Sequence, residues 1–144
     1  MELPFDDGNF DVVWTQNSGM NIADKERLYA GFHRVLRSGG MLALGEPMAG
    51  PVQPPVFPVM WAVDAATSFL RTPKEMRNLI EGAGFLSRAW DDVTSQGGLP
   101  NAAGPTVGVQ NIVMGDALPD IAQAGQRNRD EGRIVDVQGV FDQP

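Results

Sequence analysis

Apolar residues fall into short blocks along this chain, and their spacing assigns an element to most of them. Phe10-Asp11-Val12-Val13-Trp14-Thr15 is a near-continuous β-branched and aromatic run entered from the turn Asp6-Asp7-Gly8-Asn9. That is the pattern of a strand buried on both faces, as in a parallel sheet. After the polar loop Gln16–Asn21, Asp24 is placed to cap a helix whose apolar residues Leu28, Phe32, Val35 and Leu36 recur at i, i+4, i+7 and i+8. Lys25, Arg27, Arg34 and Arg37 belong mostly to the other faces, and acid at the start with arginine at the end suits the helix dipole. Gly39-Gly40 is expected to stop this helix, and Met41-Leu42-Ala43-Leu44 to resume an apolar strand. Strand, helix and strand within about 35 residues form a right-handed βαβ unit with parallel strands.

Five prolines follow between Glu46 and Pro58 (Pro47, Pro51, Pro54, Pro55 and Pro58). Proline removes a ladder donor and breaks helices, so this stretch reads as a stiff surface excursion rather than a central strand. It leads through Val59-Met60-Trp61-Ala62-Val63 to Ser68-Phe69-Leu70. Thr72-Pro73-Lys74-Glu75 is a capping box with proline at the first helical position; Met76, Leu79, Ile80 and Ala83 continue at helical spacing, and Gly84 ends the run. Phe85 to Val93 reads as a strand, residues 95–106 as a Gly/Pro loop, and 117–131 as a polar helix ending at Gly132. The pattern over 107–115 is ambiguous. Ile134 to Phe141 makes a last strand. Without an internal repeat or a linker, residues 1–144 read as one domain.

Composition narrows the chemistry. The chain has 144 residues, no cysteine and one histidine, which excludes disulfides, thiolate metal sites, a cysteine nucleophile and a multi-histidine metal site. A formal charge of −7 argues against a broad nucleic-acid-binding surface. Neither a basic-headed signal peptide nor a bilayer-length apolar run is present, so a cytoplasmic protein without a membrane segment is expected. Neither G-x-G-x-x-G nor the P-loop motif occurs. Gly39-Gly40 follows a helix, whereas anion-binding glycine turns precede one. Ser18 lacks a nucleophile-elbow context, and the neighbours in Asp6-Asp7 and Asp91-Asp92 point apart in extended chain. The loop Thr15–Asn21 is more informative. It leaves the C-terminal end of a buried parallel strand, where open α/β sheets place ligands, and it carries neutral donors and acceptors. Pro58, Trp61, Ala62, Ser68 and Phe69 are equally suited to wall an apolar pocket or to pack a core.

Taken in order, these segments resemble the C-terminal portion of a class I S-adenosylmethionine-dependent methyltransferase. The resemblance is to the small-molecule enzymes of ubiquinone/menaquinone biosynthesis and of sarcosine/dimethylglycine methylation. Leu3-Pro4-Phe5-Asp6-Asp7-Gly8-Asn9-Phe10-Asp11-Val12-Val13-Trp14 is similar to that family's approach to its fourth strand. Met20-Asn21-Ile22-Ala23-Asp24-Lys25 and Arg34-Val35-Leu36-Arg37-Ser38-Gly39-Gly40 resemble its next helix and the turn into its fifth strand. Thr72-Pro73-Lys74-Glu75 and Glu81-Gly82-Ala83-Gly84-Phe85 resemble a later helix and the entry to the sixth strand, and Glu131–Phe141 the antiparallel seventh.

The resemblance implies an α/β fold, a partial Rossmann-like methyltransferase sheet with flanking helices. Its last strand is inserted antiparallel between the fifth and sixth. S-adenosylmethionine is the implied cofactor, with Leu3 and Pro4 near adenine, Thr15, Gln16 and Asn17 near the methionine part and Met20 beside the sulfonium. Trp61 and Phe69 would line the pocket of a small-molecule acceptor. No catalytic acid–base residue and no metal are implied, because methyl transfer depends on alignment. The family's glycine-rich loop and ribose-binding acidic residue belong before Leu3, so a truncated domain with impaired cofactor binding is expected. The alternative is a non-catalytic oligomerisation or apolar-ligand-binding module. Without the strand that flanks Phe10–Thr15 in such sheets, a free edge is expected to support a homodimer.

Overall fold

The computed structural model describes residues 3–96 and 109–144. Its strands are β1 (Phe10–Gln16), β2 (Leu36–Ala49), β3 (Leu86–Asp92) and β4 (Ile134–Asp142). Its helices are α1 (Lys25–Val35), α2 (Pro73–Gly82), α3 (Val109–Met114) and α4 (Leu118–Asp130), with 3-10 turns at Gly19–Asn21, Ala65–Thr67 and Gly115–Ala117. The four strands form one mixed sheet in the order β1-β2-β4-β3. β1 runs parallel to β2, from Val12 opposite Met41 to Gln16 opposite Gly45. β4 runs antiparallel to both neighbours, from Met41 opposite Asp142 to Ala49 opposite Ile134 on one side and from Leu86 opposite Asp142 on the other. The expected insertion of the last strand is therefore present.

Alternation along the strands decides what each face packs against. Leu42, Leu44, Met48, Val137 and Phe141 face Leu28 and Tyr29 of α1, Met76 and Ile80 of α2, and Phe85. Phe141 is at the centre, edge-to-face with Trp90 at 5.7 Å and with Phe85 at 6.5 Å. The opposite face is covered at one end by α4 and the chain between β2 and α2. At its other end Val12 (49% exposed) and Trp14 (71%) face solvent, so β1 is not buried on both faces as its near-continuous apolar run predicts. Among the described residues no strand pairs with the outer edge of β1.

Both expected helix starts form. Asp24 Oδ1 accepts from the Arg27 amide at 3.0 Å. Thr72 and Glu75 close a reciprocal capping box on α2, with Pro73 in the first turn. Two further expectations need correction. α1 does not reach Gly39-Gly40: it ends at Val35, and Leu36 is already extended (φ −77°, ψ 137°) and opens β2. The glycines instead form an irregularity inside β2, where Phe10 is opposite Leu36 yet Val12 is opposite Met41. Gly39 takes a left-handed φ of 74°, and the Gly39 amide and Gly40 carbonyl bond the backbone of Gln143.

The second correction concerns Pro47, which lies inside a central strand. It is opposite Asp136 of β4, whose amide donates to Thr94 Oγ1 and whose carbonyl accepts from Val93. Both backbone groups of Asp136 thus turn away from β2, and β1 has already ended opposite Gly45, so no neighbour requires the missing N–H.

The excursion itself begins after Ala49, where β2 ends. The Ala49 amide donates to the Arg71 carbonyl at 2.9 Å, closing residues 50–70 into a loop that leaves and returns at one point. Gly50 crosses the Gly132–Arg133 backbone so closely that a β-carbon would collide with the Gly132 carbonyl. From α4, Asn128, which is 1% exposed, accepts the Val56 amide at 2.7 Å and donates to the Val56 carbonyl at 2.8 Å. Val59, Ala62 and Ile134, with Phe57, Trp61 and Leu70 against them, form a second small core beneath the loop. Of the expected Gly/Pro loop at 95–106, all but its first two residues lie outside the described residues. The ambiguous segment contains α3.

Phe141→Ala tests the central packing. It empties a ring-sized volume between both helices and the sheet, and is expected to cost about 3–5 kcal/mol in urea denaturation with little change in the denaturant slope.

Candidate functional site

The C-terminal ends of β1 and β2 converge on a buried carboxylate. Glu46 shares the inward face of β2 with Leu42, Leu44 and Met48, and is 5% exposed. A charge at such a position is costly unless it is fully hydrogen-bonded. Its partners come from the loop that leaves β1. Oε2 accepts the Ser18 and Gly19 amides, each at 3.1 Å, and Oε1 accepts the Gly19 amide at 3.1 Å and the Thr15 hydroxyl at 3.0 Å. Thr15 Oγ1 and Ser18 Oγ are also bonded, at 2.7 Å. The first amides of the Gly19–Asn21 turn thus end on a carboxylate, the arrangement that orphan helix-start amides favour.

A buried cation completes the clamp. Lys25, at the start of α1 and 2% exposed, donates from Nζ to the Gly19 carbonyl at 2.5 Å and the Ile22 carbonyl at 3.0 Å. Burial pushes its ammonium pKa down, and the negative charge of Glu46 pulls it partly back. Tyr29, one turn along α1, is also buried. Its hydroxyl has no hydrogen-bond partner among the described residues, and its pKa is raised by burial first and by Glu46 second. The loop is tied outward as well. The Phe69 amide donates to the Met20 carbonyl at 2.8 Å, and Asn21 Nδ2 donates to the carbonyls of Trp61 at 3.0 Å and Thr67 at 2.8 Å.

Thr15, Gln16, Asn17 and Met20 are therefore brought together with the segment that holds Trp61 and Phe69. Their side chains divide into two sets. Gln16 and Asn17 are exposed, Asn17 in a left-handed conformation (φ 50°), whereas Thr15 and Met20 turn inward and support the loop. Leu3 and Pro4 are placed elsewhere. Arg34 donates to the carbonyls of Leu3 and Phe5 and pairs with Asp7, and Leu3 packs at Gly31. These contacts lie about 13 Å along α1 from Lys25 at 1.5 Å per residue. Leu3, Pro4, Phe5, Asp6 and Arg34 line an open surface recess there. Trp61 donates from Nε1 to Ser68 Oγ at 3.1 Å and helps wall a second recess with α4 and β4, which Phe69 does not line.

Sequence reasoning missed Glu46, Lys25, Asn128 and Asp136. A signal existed for Glu46, a charge in phase with the inward Leu42 and Leu44. Asn128 likewise follows the buried stripe Ile121, Ala124. Among the described residues no group of three or more acidic, histidine or cysteine side chains is disposed to hold a metal, and no helix is long and apolar enough to cross a membrane.

A sheet with three parallel strands, an antiparallel strand inserted next to one edge, and a polar loop held at the parallel C-terminal end defines a Rossmann-like methyltransferase fold. Comparison with known proteins agrees. A family model described as a methyltransferase domain matches residues 1–44. Sarcosine/dimethylglycine N-methyltransferase of Halorhodospira halochloris is 34% identical over 97 residues, 66% of this chain and 34% of that protein. The 27-O-demethylrifamycin SV methyltransferase of Amycolatopsis mediterranei is 48% identical over 46 residues, 32% of this chain and 17% of that protein. Geranyl diphosphate C-methyltransferase from Streptomyces coelicolor, solved with Mg2+, geranyl diphosphate and S-adenosyl-L-homocysteine, superposes with a TM-score of 0.72 at 17% identity. It covers 99% of this chain and half of that one. In sequence and fold the chain is similar to class I S-adenosylmethionine-dependent methyltransferases, a family whose cofactor is S-adenosylmethionine, and it spans 34% and 17% of the length of these two relatives.

Glu46→Gln tests the clamp. An amide offers one acceptor where the carboxylate offers two, and turns a donor toward backbone N–H groups. The variant is expected to lose about 1.5–3 kcal/mol, the range for a hydrogen bond to a charged group. Hydrogen exchange is expected to accelerate selectively at the Ser18 and Gly19 amides; unchanged protection there would show that the loop holds itself.

Proposed function

We propose that this chain supplies the part of a methyltransferase that meets the methionine end of S-adenosylmethionine and the methyl acceptor, and that the acceptor is a small molecule. The observation that carries this reading is the Glu46-held loop. It offers the exposed amide side chains of Gln16 and Asn17 at the parallel strand ends, next to the segment containing Trp61. Such a set fits the cofactor's amino-acid end, which needs neutral donors and acceptors on a rigid backbone. Bound there, S-adenosylmethionine supplies an electrophilic methyl group, and the protein's work is alignment rather than proton transfer. Gln16 and Asn17 would touch the ligand, and Thr15 and Met20 would hold the loop beneath them. Leu3 and Pro4, fixed against α1, are not given the adenine in this proposal.

The family's glycine-rich cofactor motif does not occur in these residues, so binding by this chain alone is expected to be weak. In a titration followed by amide NMR, S-adenosylhomocysteine is expected to shift Gln16, Asn17 and Ser18 with a Kd above about 100 µM, or less than about 5.5 kcal/mol of binding free energy. An absence of shifts at these amides at millimolar ligand overturns the assignment of the loop. Micromolar affinity overturns the impairment.

A second reading, association of two chains, is favoured by the outer edge of β1 and the exposed Trp14 beside it. An apolar strand with an unpaired ladder edge is a template for another strand. Sedimentation is expected to show a dimer at micromolar concentration that Trp14→Lys dissociates; a stable wild-type monomer sinks this reading.

A further inference from the structure

The recess walled by Trp61 lies between α4, the excursion and the face of β4 that carries Ile134 and Asp136, and encloses about 70 Å³. Its walls are mainly apolar, from Pro47, Val59, Trp61, Ile121 and Ile134. Two charged side chains reach it, Asp136 and Arg129. Asp136 is fixed by its backbone, with its amide on Thr94 Oγ1 at 2.9 Å and its carbonyl on the Val93 amide at 2.8 Å. Because Ile134 packs with Val59 and Ala62, strand alternation turns the Asp136 side chain to the same face. Among the described residues its carboxylate makes no ion pair within 4.0 Å, that of Arg129 included. Burial pushes its pKa up, Arg129 opposes that rise, and Asp92 adds to it.

A half-desolvated carboxylate that shares an apolar recess with an indole selects among ligand classes. A neutral apolar ligand would strip the remaining water from the carboxylate and return nothing. An anion would be repelled by it. A small metal ion would need several more oxygen ligands than the walls offer. A weakly hydrated organic cation satisfies both groups, with Coulomb attraction from Asp136 and cation–π attraction from Trp61. We propose that this recess binds the cationic head of a small amine or quaternary ammonium compound between Asp136 and Trp61. This deepens the acceptor reading above and rests on it only for the role of that compound in methyl transfer, where the charged nitrogen held here has no lone pair and serves to anchor the compound while another of its atoms accepts the methyl group; the binding itself needs no cofactor.

Tetramethylammonium chloride is the probe, titrated at constant ionic strength while the Trp61 indole N–H is followed by NMR and assigned by its absence in Trp61→Phe. A saturable shift is expected, with tert-butanol, a neutral ligand of similar shape, giving at least about fivefold weaker binding. Asp136→Asn, nearly isosteric, is expected to weaken the cation about fivefold or more. Arg129→Gln, which removes the competing charge, is expected to tighten it. No shift at Trp61, equal binding of tert-butanol, or an undiminished response in Asp136→Asn overturns the proposal. Should Asp136→Asn fail to fold, Arg129→Gln and the neutral probe decide, and weaker cation binding in Arg129→Gln counts as refutation. The readout is separate from the S-adenosylhomocysteine shifts at Gln16 and Asn17, so either reading can fail while the other stands.

Discussion

The arrangement at the parallel strand ends depends on one buried carboxylate. Glu46 sits where β2 is still covered on its inward face, and it organises the turn after β1 by taking two amides and a hydroxyl that would otherwise be unpaired there. Lys25 neutralises the same turn from the other side through its carbonyls rather than through the carboxylate itself. The pairing is thus mediated by backbone dipoles, and each charge is held by groups whose positions the other fixes. This keeps a loop rich in small polar residues in one conformation without a large apolar anchor, and leaves Gln16 and Asn17 outside with nothing in the clamp to satisfy.

That rigidity passes to the segment beyond β2. Asn21 reaches the carbonyls of Trp61 and Thr67, Phe69 reaches back to Met20, and Asn128 grips Val56 from α4. A loop of some twenty residues is therefore fastened at its root and on both flanks, although most of its length has neither helix nor strand. Proline limits the conformations available to it before folding, and the side-chain amides of Asn21 and Asn128 replace the ladder it lacks.

Much of the fold was legible because its signals are local. The run Phe10–Thr15, the apolar stripe of α1, the Thr72–Glu75 box and the alternation of Ile134–Phe141 each state their element within a few residues. The readings that failed concern long-range neighbours. Pro47 argues against a central strand until it is known that β1 stops at Gly45 and that Asp136 turns its backbone the other way. Gly39-Gly40 looks like a helix stop because the distortion they make in β2 is written in the pairing with Gln143, a hundred residues away. The candidate site divides similarly. The loop Thr15–Asn21 declares itself by composition and position, whereas Glu46 reads as the first residue of a proline-rich exit. Asp136 acquires its meaning only from the excursion and α4 folding over it.

The placement of β4 has a consequence for how this chain comes together. β3 touches the rest of the sheet through β4 alone, and β2 has its longest pairing with the same strand. On a ribosome, residues 10–92 can assemble the parallel pair and both covering helices, but β3 has no ladder to join until residues 134–142 emerge. Phe141, the residue on which both sides of the core meet, is made only after β1, β2, β3 and the helices. Closure of this sheet is thus a non-local event, and a nascent chain paused in the α4 region would carry two open strand edges on either side of a gap of one strand's width.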